Sequence, residues 1–339
     1  MPEAPSQPDR DSARRRSPLD LVVVVALLAG LAVVTILAGR SRPSTGPAAA
    51  AAGAPLDDVE RRVLPEQVGY REGVALHFEE KVRAVAVGPG DRLFVSVGFT
   101  VVEIGDDGSP RGRFELTSAA GCLAATAERL YLGCGDHIEV IDLADGTRTA
   151  WPSPAEGAFL TAVAVGQDVV IAGDAALRRF HRWRRDGTSL TPVVPDTATP
   201  IADATAGVPG TYYDIAAAPD GTFWATEAGA FGLVHLDAEG RRLGRFGKGS
   251  PAVEDFGGCC NPTHVASAPG NLLVTVEKKP DLVKAYRDDG QFVSVVAGPK
   301  AFQPKTFIAD VAADSRGRIL LVDPKAKSVR VFEPKPAEP

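Results

Sequence analysis

The feature that most constrains the fold of this chain is an internal repeat. Six segments share a pattern of a short apolar run, a turn, a second apolar run and a third, and they begin at Val82, Ala120, Leu160, Tyr212, Pro262 and Phe307. Each run has the length of a β-strand and is rich in valine, isoleucine, leucine and alanine. The spacing of 38 to 52 residues is typical of propeller blades, so the sequence predicts an all-β, six-bladed β-propeller.

The two ends of the repeat region predict how the ring closes. Five repeats continue into a fourth strand, whereas the sixth stops after its third strand, at "SVRVFEPKPAEP". The stretch "REGVALHF" at 71–78 precedes the first repeat and has no other partner. We expect it to form the outer strand of the last blade, because ring closure leaves only short, protected sheet edges.

The repeat resembles the NHL repeat of six-bladed propellers over about residues 70–333. The likeness is clearest in blades four to six, as in "PDGTFWATEAGAFGLVHLD" and "SRGRILLVDPKAKSVRVFE", and blades one to three are degenerate. The Cys-Cys-Asn-Pro stretch "GGCCNPTHVA" and the residues after it are also similar to NHL-type proteins of bacterial envelopes. The resemblance implies the fold and an envelope location, but no particular activity, since propellers host many unrelated sites.

Alignment of the repeats places two columns of residues near one end of the central channel. The first column, early in the innermost strand, contains Ala84, Cys122, Ala162, Asp214, His264 and Asp310. The second column, at the end of the second strand, contains Val97, Cys134, Gly173, Glu227, Glu277 and Asp323. We expect the two members from one blade to lie close together, since directly opposed side chains of an antiparallel hairpin are about 5 Å apart.

The polar members of both columns have two interpretations. In the structural one, Glu227, Glu277 and Asp323 accept backbone N–H groups from the loops they precede, and Asp214, His264 and Asp310 bond to neighbouring blades. In the functional one, these three residues, called here the mouth cluster, bind a divalent metal ion or perform acid–base chemistry. Turn chemistry favours the structural interpretation for the second column, and the mouth cluster suits both.

Related propellers imply a metal ion at this place. The lactonases of the gluconolactonase family and the peptidylglycine amidating lyase both hold a metal at the channel mouth, and the lyase uses histidines from several inner strands in a "PHG"-like context. In this chain only blade five offers a histidine, and "PTHV" places it one residue later. Blades four and six carry aspartates instead, so the ligand set departs from that of the lyase.

The four cysteines form two candidate pairs. Cys122 and Cys134 lie on neighbouring strands of blade two, and a cross-strand disulfide or two buried thiols would both fit the pattern. Cys259 and Cys260 are adjacent in the loop that leads into blade five. They are interpreted, in order of preference, as a vicinal disulfide that stiffens the loop, a soft-metal site with His264, or a redox-active thiol pair.

The N-terminal region predicts a membrane anchor. Leu21 to Gly39 is an uncharged apolar run long enough to span a bilayer as a helix, and arginines precede and follow it. We divide the chain into a cytoplasmic tail (1–18), a transmembrane signal-anchor helix (19–40), a flexible linker (41–65), the propeller (66–334) and a short tail (335–339). By the positive-inside rule the propeller is periplasmic or extracellular. A cleaved signal peptide is the alternative to an anchor that stays.

Charge and motifs exclude several classes of function. The net charge is only −6 and the predicted propeller contains no basic cluster, so we predict no nucleic-acid partner. The chain shows no P-loop, no G-x-S-x-G elbow and no strand-borne G-x-G-x-x-G. The sequence favours a membrane-anchored module that binds or scaffolds, through its channel-mouth loops, a small ligand or another envelope protein. The alternative is a metal-dependent lyase or lactonase-like hydrolase that uses the mouth cluster.

Overall fold

The computed structural model describes residues 63–193, 213–258, 260–278, 281–302 and 306–336, which form a six-bladed β-propeller. A 3₁₀ turn at Pro65–Gln67 leads into two short strands, β1 (Tyr70–Glu72) and β2 (Leu76–His77). Blade one contains β3 (Val82–Gly88), β4 (Arg92–Val97), β5 (Thr100–Ile104) and β6 (Pro110–Glu115). Blade two contains β7 (Cys122–Ala125), β8 (Arg129–Cys134), β9 (His137–Asp142) and β10 (Arg148–Ala150).

The next three blades have the same antiparallel order, from the innermost to the outermost strand. Blade three contains β11 (Leu160–Val165), β12 (Val169–Asp174), β13 (Arg179–Arg184) and β14 (Ser189–Val193). Blade four contains β15 (Ile215–Ala217), β16 (Phe223–Glu227), β17 (Gly232–Leu236) and β18 (Arg242–Phe246). Blade five contains β19 (His264–Ala268), β20 (Leu272–Glu277), β21 (Leu282–Arg287) and β22 (Phe292–Ala297).

Blade six joins the two ends of the propeller. Three of its strands come from the C-terminal end of the chain: β23 (Asp310–Ala313), β24 (Ile319–Asp323) and β25 (Ser328–Pro334). Its outer side is completed by β1 and β2 from the N-terminal end, which both pair with β25. Arg330 forms an ion pair with Glu72, with 2.7 Å between Nε and Oε1, which fastens this seam. The predicted closing role of residues 71–78 is therefore confirmed.

The core lies between adjacent blades. The second strands are buried along nearly their whole length, because both faces of each sheet are covered by neighbouring sheets. Between blades one and two, for example, Phe94, Leu130 and Leu132 pack in one cluster and are fully buried. This explains why the strands read as continuous apolar runs with little alternation.

In the described parts of residues 63–336, no helix is long and apolar enough to cross a membrane. The predicted cytoplasmic tail, the anchor at 19–40 and most of the predicted linker lie outside the described residues. They stay predictions of the sequence.

Ring closure yields a first prediction. Removing residues 1–65 should leave a folded propeller, whereas removing residues 1–80 also deletes β1 and β2 and exposes the edge of β25. We expect the shorter protein to melt at least several degrees lower, since each kcal/mol lost shifts the melting temperature of a domain of this size by about 2–4 °C. Equal melting temperatures of the two proteins, measured by calorimetry, would show that these strands contribute nothing to closure.

Candidate functional site

The mouth cluster lies where three consecutive inner strands begin. Asp214 directly precedes β15, His264 is the first residue of β19 and Asp310 is the first residue of β23. One potential ligand atom from each residue lies within 4.8 Å of the others. Asp214 and Asp310 border a central cavity of about 200 Å³ that is lined by the innermost strands of all six blades. The structure therefore brings together all three residues that the sequence singled out.

Asp214 fastens blade four to blade five. Its Oδ2 accepts a hydrogen bond from the backbone N–H of Val265 at 2.9 Å and lies 3.2 Å from Nδ1 of His264. Its Oδ1 accepts the N–H of Ile215, the next residue, at 2.8 Å. Both carboxylate oxygens are thereby held in place by rigid β-strand backbone.

Asp310 makes the equivalent connection between blade six and blade one. Its Oδ2 accepts the N–H of Val85 at 2.9 Å, and its Oδ1 accepts the N–H of Val311 at 2.8 Å. Neighbouring blades are thus joined at the channel by buried or half-buried carboxylates, as the structural interpretation predicted. A carboxylate oxygen accepts more than one hydrogen bond, so these contacts leave acceptor capacity toward the cavity.

The cluster shifts the protonation of two of its members. Burial and the nearby Asp214 carboxylate raise the pKa of Asp310 to about 7, although the imidazole of His264 partly opposes this. Burial alone would lower the pKa of His264, but the hydrogen bond and charge of Asp214, with the charge of Asp310, raise it above its ordinary value. Two carboxylates and an imidazole crowded together thus favour extra positive charge at the site.

The second column faces away from the first. His264 lies opposite Val276 and Asp310 lies opposite Val322, so Glu277 and Asp323 are one position further along their strands. A one-residue offset turns a side chain to the other face of the sheet. The expectation that the two columns meet is therefore wrong in these blades, whereas in blade three the aligned residues Ala162 and Gly173 do lie opposite each other.

The acids of the second column serve the loops and the outer strands. Asp323 accepts the N–H groups of Lys325 and Ala326, as the structural interpretation predicted. Glu227 instead pairs with Arg245, with 2.7 Å between Oε2 and Nε. Glu277 accepts the N–H of Gly257 and also pairs with a lysine, described below.

Blade three carries an acid that the alignment missed by one residue. Gly173 lies opposite Ala162, and the acid at the end of β12 is the next residue, Asp174. Its Oδ1 accepts three backbone N–H groups, including that of Phe159, and its Oδ2 lies 2.8 Å from Nε2 of buried His181. Asp174 lies one position beyond the partner of Ala162 and 12 residues after it, the same separation as that of Cys134 from Cys122 in blade two.

Cys122 and Cys134 are buried free thiols, so the predicted disulfide between them is wrong. Cys122 lies opposite Gly133, which turns Cys134 to the other face of the sheet. Cys122 packs toward blade three, and Cys134 packs toward blade one. Burial raises the pKa of Cys134 to about 11 and that of Cys122 well above its ordinary value, so both stay protonated at neutral pH.

The loop that leads into blade five is braced from beneath by a lysine that the sequence analysis did not single out. Lys284 is fully buried, and its Nζ donates to the carbonyls of Val253 and Asp255 and lies 2.5 Å from Oε1 of Glu277. The same Nζ lies 4.6 Å from the ring centroid of Phe256. A lysine in the middle of an apolar strand was the available signal for this brace.

Asn261 provides a second brace for the same loop. Its side-chain amide donates to the carbonyls of Gly257 and Lys278, and its Oδ1 accepts the N–H of Lys278. Cys260 is buried next to it, with φ of 63°. Cys259 lies outside the described residues, so the predicted bond between Cys259 and Cys260 stays a prediction.

No family model matches the chain, and no curated protein matches it in sequence. Solved structures share its fold. Virginiamycin B lyase from Staphylococcus aureus is 14% identical with a TM-score of 0.55, over 80% of this chain and 89% of that chain. The WD40 β-propeller domain of Doa1 is 14% identical with a TM-score of 0.53, over 79% of this chain and 98% of that chain.

A structural-genomics protein of unknown function from Bacteroides thetaiotaomicron is also similar. It is 14% identical with a TM-score of 0.56, over 80% of this chain and 74% of that chain. At such identities the likeness concerns the fold alone. The chain is a six-bladed β-propeller, and its activity has to be argued from its own residues.

The raised pKa values of the mouth cluster predict how stability depends on pH. The folded state holds protons on Asp310 and His264 to higher pH than the unfolded state does, so their contribution is present at low pH and lost as pH rises through the folded values. We expect the melting temperature in a chelator-containing buffer to fall as pH rises through about 7. The fall should be smaller in Asp310→Asn. A wild-type melting temperature that rises over this pH range would contradict the raised pKa values of Asp310 and His264.

The buried Lys284–Glu277 pair gives a third prediction. Lys284→Met should lower the free energy of unfolding by about 3–5 kcal/mol, because it leaves the Glu277 carboxylate buried without its partner cation. The double variant Lys284→Met/Glu277→Gln should regain much of this stability in denaturant titrations. Both variants should be cut faster by trypsin after exposed Lys248, since both lose the brace beneath the loop. A double variant no more stable than the single one would argue against the pair.

Proposed function

We propose that the protein is a membrane-anchored, extracytoplasmic binding module whose ligand site is the channel mouth. In this proposal, Asp214, His264 and Asp310 hold a divalent cation that takes part in binding. The observation that carries the proposal is the convergence of three potential ligand atoms, within 4.8 Å of one another, beside a central cavity.

The donor set suits a divalent cation. Two carboxylates and one imidazole match the oxygen and nitrogen ligands of Mn²⁺, Zn²⁺ and similar ions, and three protein ligands leave further coordination positions for a ligand or water. The carboxylates are also oriented by backbone N–H groups from two blades each, and such outer contacts are what fix metal ligands. A bound cation would replace the proton that the crowded carboxylates otherwise retain.

The surroundings of the cluster support binding. The loop into blade five is held by Lys284 and Asn261, so it presents a stiff surface beside the mouth. A surface that is already ordered loses little conformational entropy when it binds a partner. This supports a binding or scaffolding role for the module, with a small ligand or another envelope protein as its partner.

A second candidate function is metal-dependent lyase or lactonase-like hydrolase activity. The observation that favours it is the pKa of Asp310, which at about 7 is suited to a group that gives and takes protons near neutral pH. One structure with the same fold is a catalytically inactive histidine-to-alanine variant of virginiamycin B lyase from Staphylococcus aureus. In this chain His264 would be the histidine to replace.

The cellular setting in this proposal comes from the sequence. The apolar run from Leu21 to Gly39 with its flanking arginines would anchor the protein, and the NHL-type resemblance with its Cys-Cys-Asn-Pro loop would place it in a bacterial envelope. The predicted partners are therefore the membrane and an extracytoplasmic ligand.

The cation site can be tested with Mn²⁺ by isothermal titration calorimetry on chelator-treated full-length protein. We expect Mn²⁺ to bind, and Asp310→Asn to weaken binding by at least about 10-fold, since changes to metal-site residues commonly cost that much. Asp323→Asn is the matched control, because this acid lies in the same blade but serves a loop. Absence of Mn²⁺ and Zn²⁺ binding to the folded wild type would rule out the site.

The two candidate functions differ in their outcome with ester and lactone substrates. Turnover that requires the cation and is lost in His264→Ala would establish the hydrolase. Cation binding without turnover, together with ligand capture that depends on the same residues, would support the binding module.

A further inference from the structure

The exposed phenylalanines of the described residues lie on one face of the propeller. Phe99, Phe159 and Phe307 are 56%, 54% and 43% exposed. Phe99 connects β4 to β5, Phe159 directly precedes β11, and Phe307 leads into β23. All three positions are at the end of the blades where the inner strands begin, which is the end that carries the mouth cluster.

The backbones that carry two of these rings are fixed. The carbonyl of Phe99 accepts the N–H of Leu116 at 2.8 Å, and the carbonyl of Phe159 accepts the N–H of Ala175 at 3.0 Å. The N–H of Phe159 also donates to Asp174. These two rings are therefore exposed at positions where hydrogen bonds hold the backbone in place.

The three rings belong to blades one, three and six of a ring of six, so they are spread over this face. A molecule small enough to enter the central cavity of about 200 Å³ cannot contact all of them. Only an extended surface can do so. Large exposed aromatic side chains on one face mark such interaction surfaces.

The chain reaches the propeller on this same face. Val63 and Val68 pack with Val253, in the loop into blade five, and with Leu282, the first residue of β21. The predicted anchor at 19–40 is joined to this point by residues 41–62. Even a fully extended segment of that length reaches only about 75 Å. The chain before residue 63, which includes the predicted anchor, therefore joins the propeller at the end that bears the rings.

We propose that the mouth face docks on the surface of the lipid bilayer, with Phe99, Phe159 and Phe307 inserted at the boundary between headgroups and acyl chains. This proposal rests on the proposed membrane anchoring. Aromatic rings are favoured at that depth, and a tether raises the effective concentration of the bilayer at the face. The mouth cluster would then open toward the interface, so its ligand would be a molecule that partitions into membranes.

The charges next to the rings indicate which lipid surface fits. Phe99 follows Gly98, whose neighbours Glu80, Lys81 and Arg83 carry both signs of charge. Because a carboxylate stands beside these cations, we do not attribute docking to attraction between this ring's surroundings and anionic lipid. We therefore expect docking on zwitterionic phosphatidylcholine that is insensitive to salt.

The test uses the full chain in phosphatidylcholine vesicles with and without bromine-labelled acyl chains, which quench nearby tryptophan. The three native tryptophans, Trp151, Trp183 and Trp224, are buried and supply the background signal. Phe159→Trp should be quenched by brominated lipid above the wild-type level and should keep that quenching in about 1 M salt, where the screening length is only about 3 Å.

The control positions are exposed residues on outer strands, Leu243 and Val293. Leu243→Trp and Val293→Trp should show no quenching above wild type. Quenching at Phe159→Trp should also fall when the other two rings are replaced by serine. Equal quenching at positions 159 and 243, or quenching abolished by salt, would overturn docking through the rings.

Flotation of the same vesicles separates this proposal from the anchor. If the chain floats with the vesicles but position 159 is not quenched, the anchor stands and the docking proposal fails. If the chain does not float, both fail.

Discussion

Closure of the ring is the constraint on which the rest of this structure depends. The sixth blade has only three strands of its own, and β1 and β2 supply its outer side by pairing with β25. Without that pairing the outer edge of β25 would be open, and the short link from β2 to β3 would no longer join blade six to blade one. Only a closed ring sets the six inner strands around a common axis.

The mouth cluster is both a product of closure and a part of it. The carboxylate of Asp310, in blade six, accepts the N–H of Val85, in blade one, and Asp214 makes the same kind of contact between blades four and five. Each of these carboxyl groups accepts a backbone N–H from the neighbouring blade, and such hydrogen bonds contribute to the stability of the ring. The same arrangement crowds two carboxylates, which raises the pKa of Asp310 and underlies the proposal that the cluster binds a cation. Stability and the proposed binding thus use the same side chains.

The face around the cluster combines stiffness with apolar exposure. Lys284 and Asn261 hold the loop into blade five, while Phe99, Phe159 and Phe307 present rings to the outside. The chain arrives at the same face through Val63 and Val68. The proposed ligand site, the point where the N-terminal segment arrives and the proposed docking surface therefore all lie at one end of the propeller, in keeping with the usual placement of function on loops over a rigid scaffold.

The sequence by itself determined the number of blades, the closing segment and the three residues of the mouth cluster. These follow from local signals, because apolar runs of strand length and turn residues between them repeat along the chain. Only the tertiary structure decided which faces the side chains occupy. Cys122 and Cys134 point to opposite sides of their sheet. The acid that ends the second strand of blade three is Asp174, one residue after the Gly173 that the alignment had placed there.

The physical reason is strand register. Cys122 pairs with Gly133 and His264 pairs with Val276, each one residue before the position that the alignment matched, and a one-residue shift reverses the face of a strand. The pairing of Lys284 with Glu277, and the approach of Asp214, His264 and Asp310 from three blades, depend likewise on contacts between strands far apart in sequence. Sequence spacing alone does not predict such contacts, because they form only when the closed ring places the blades side by side.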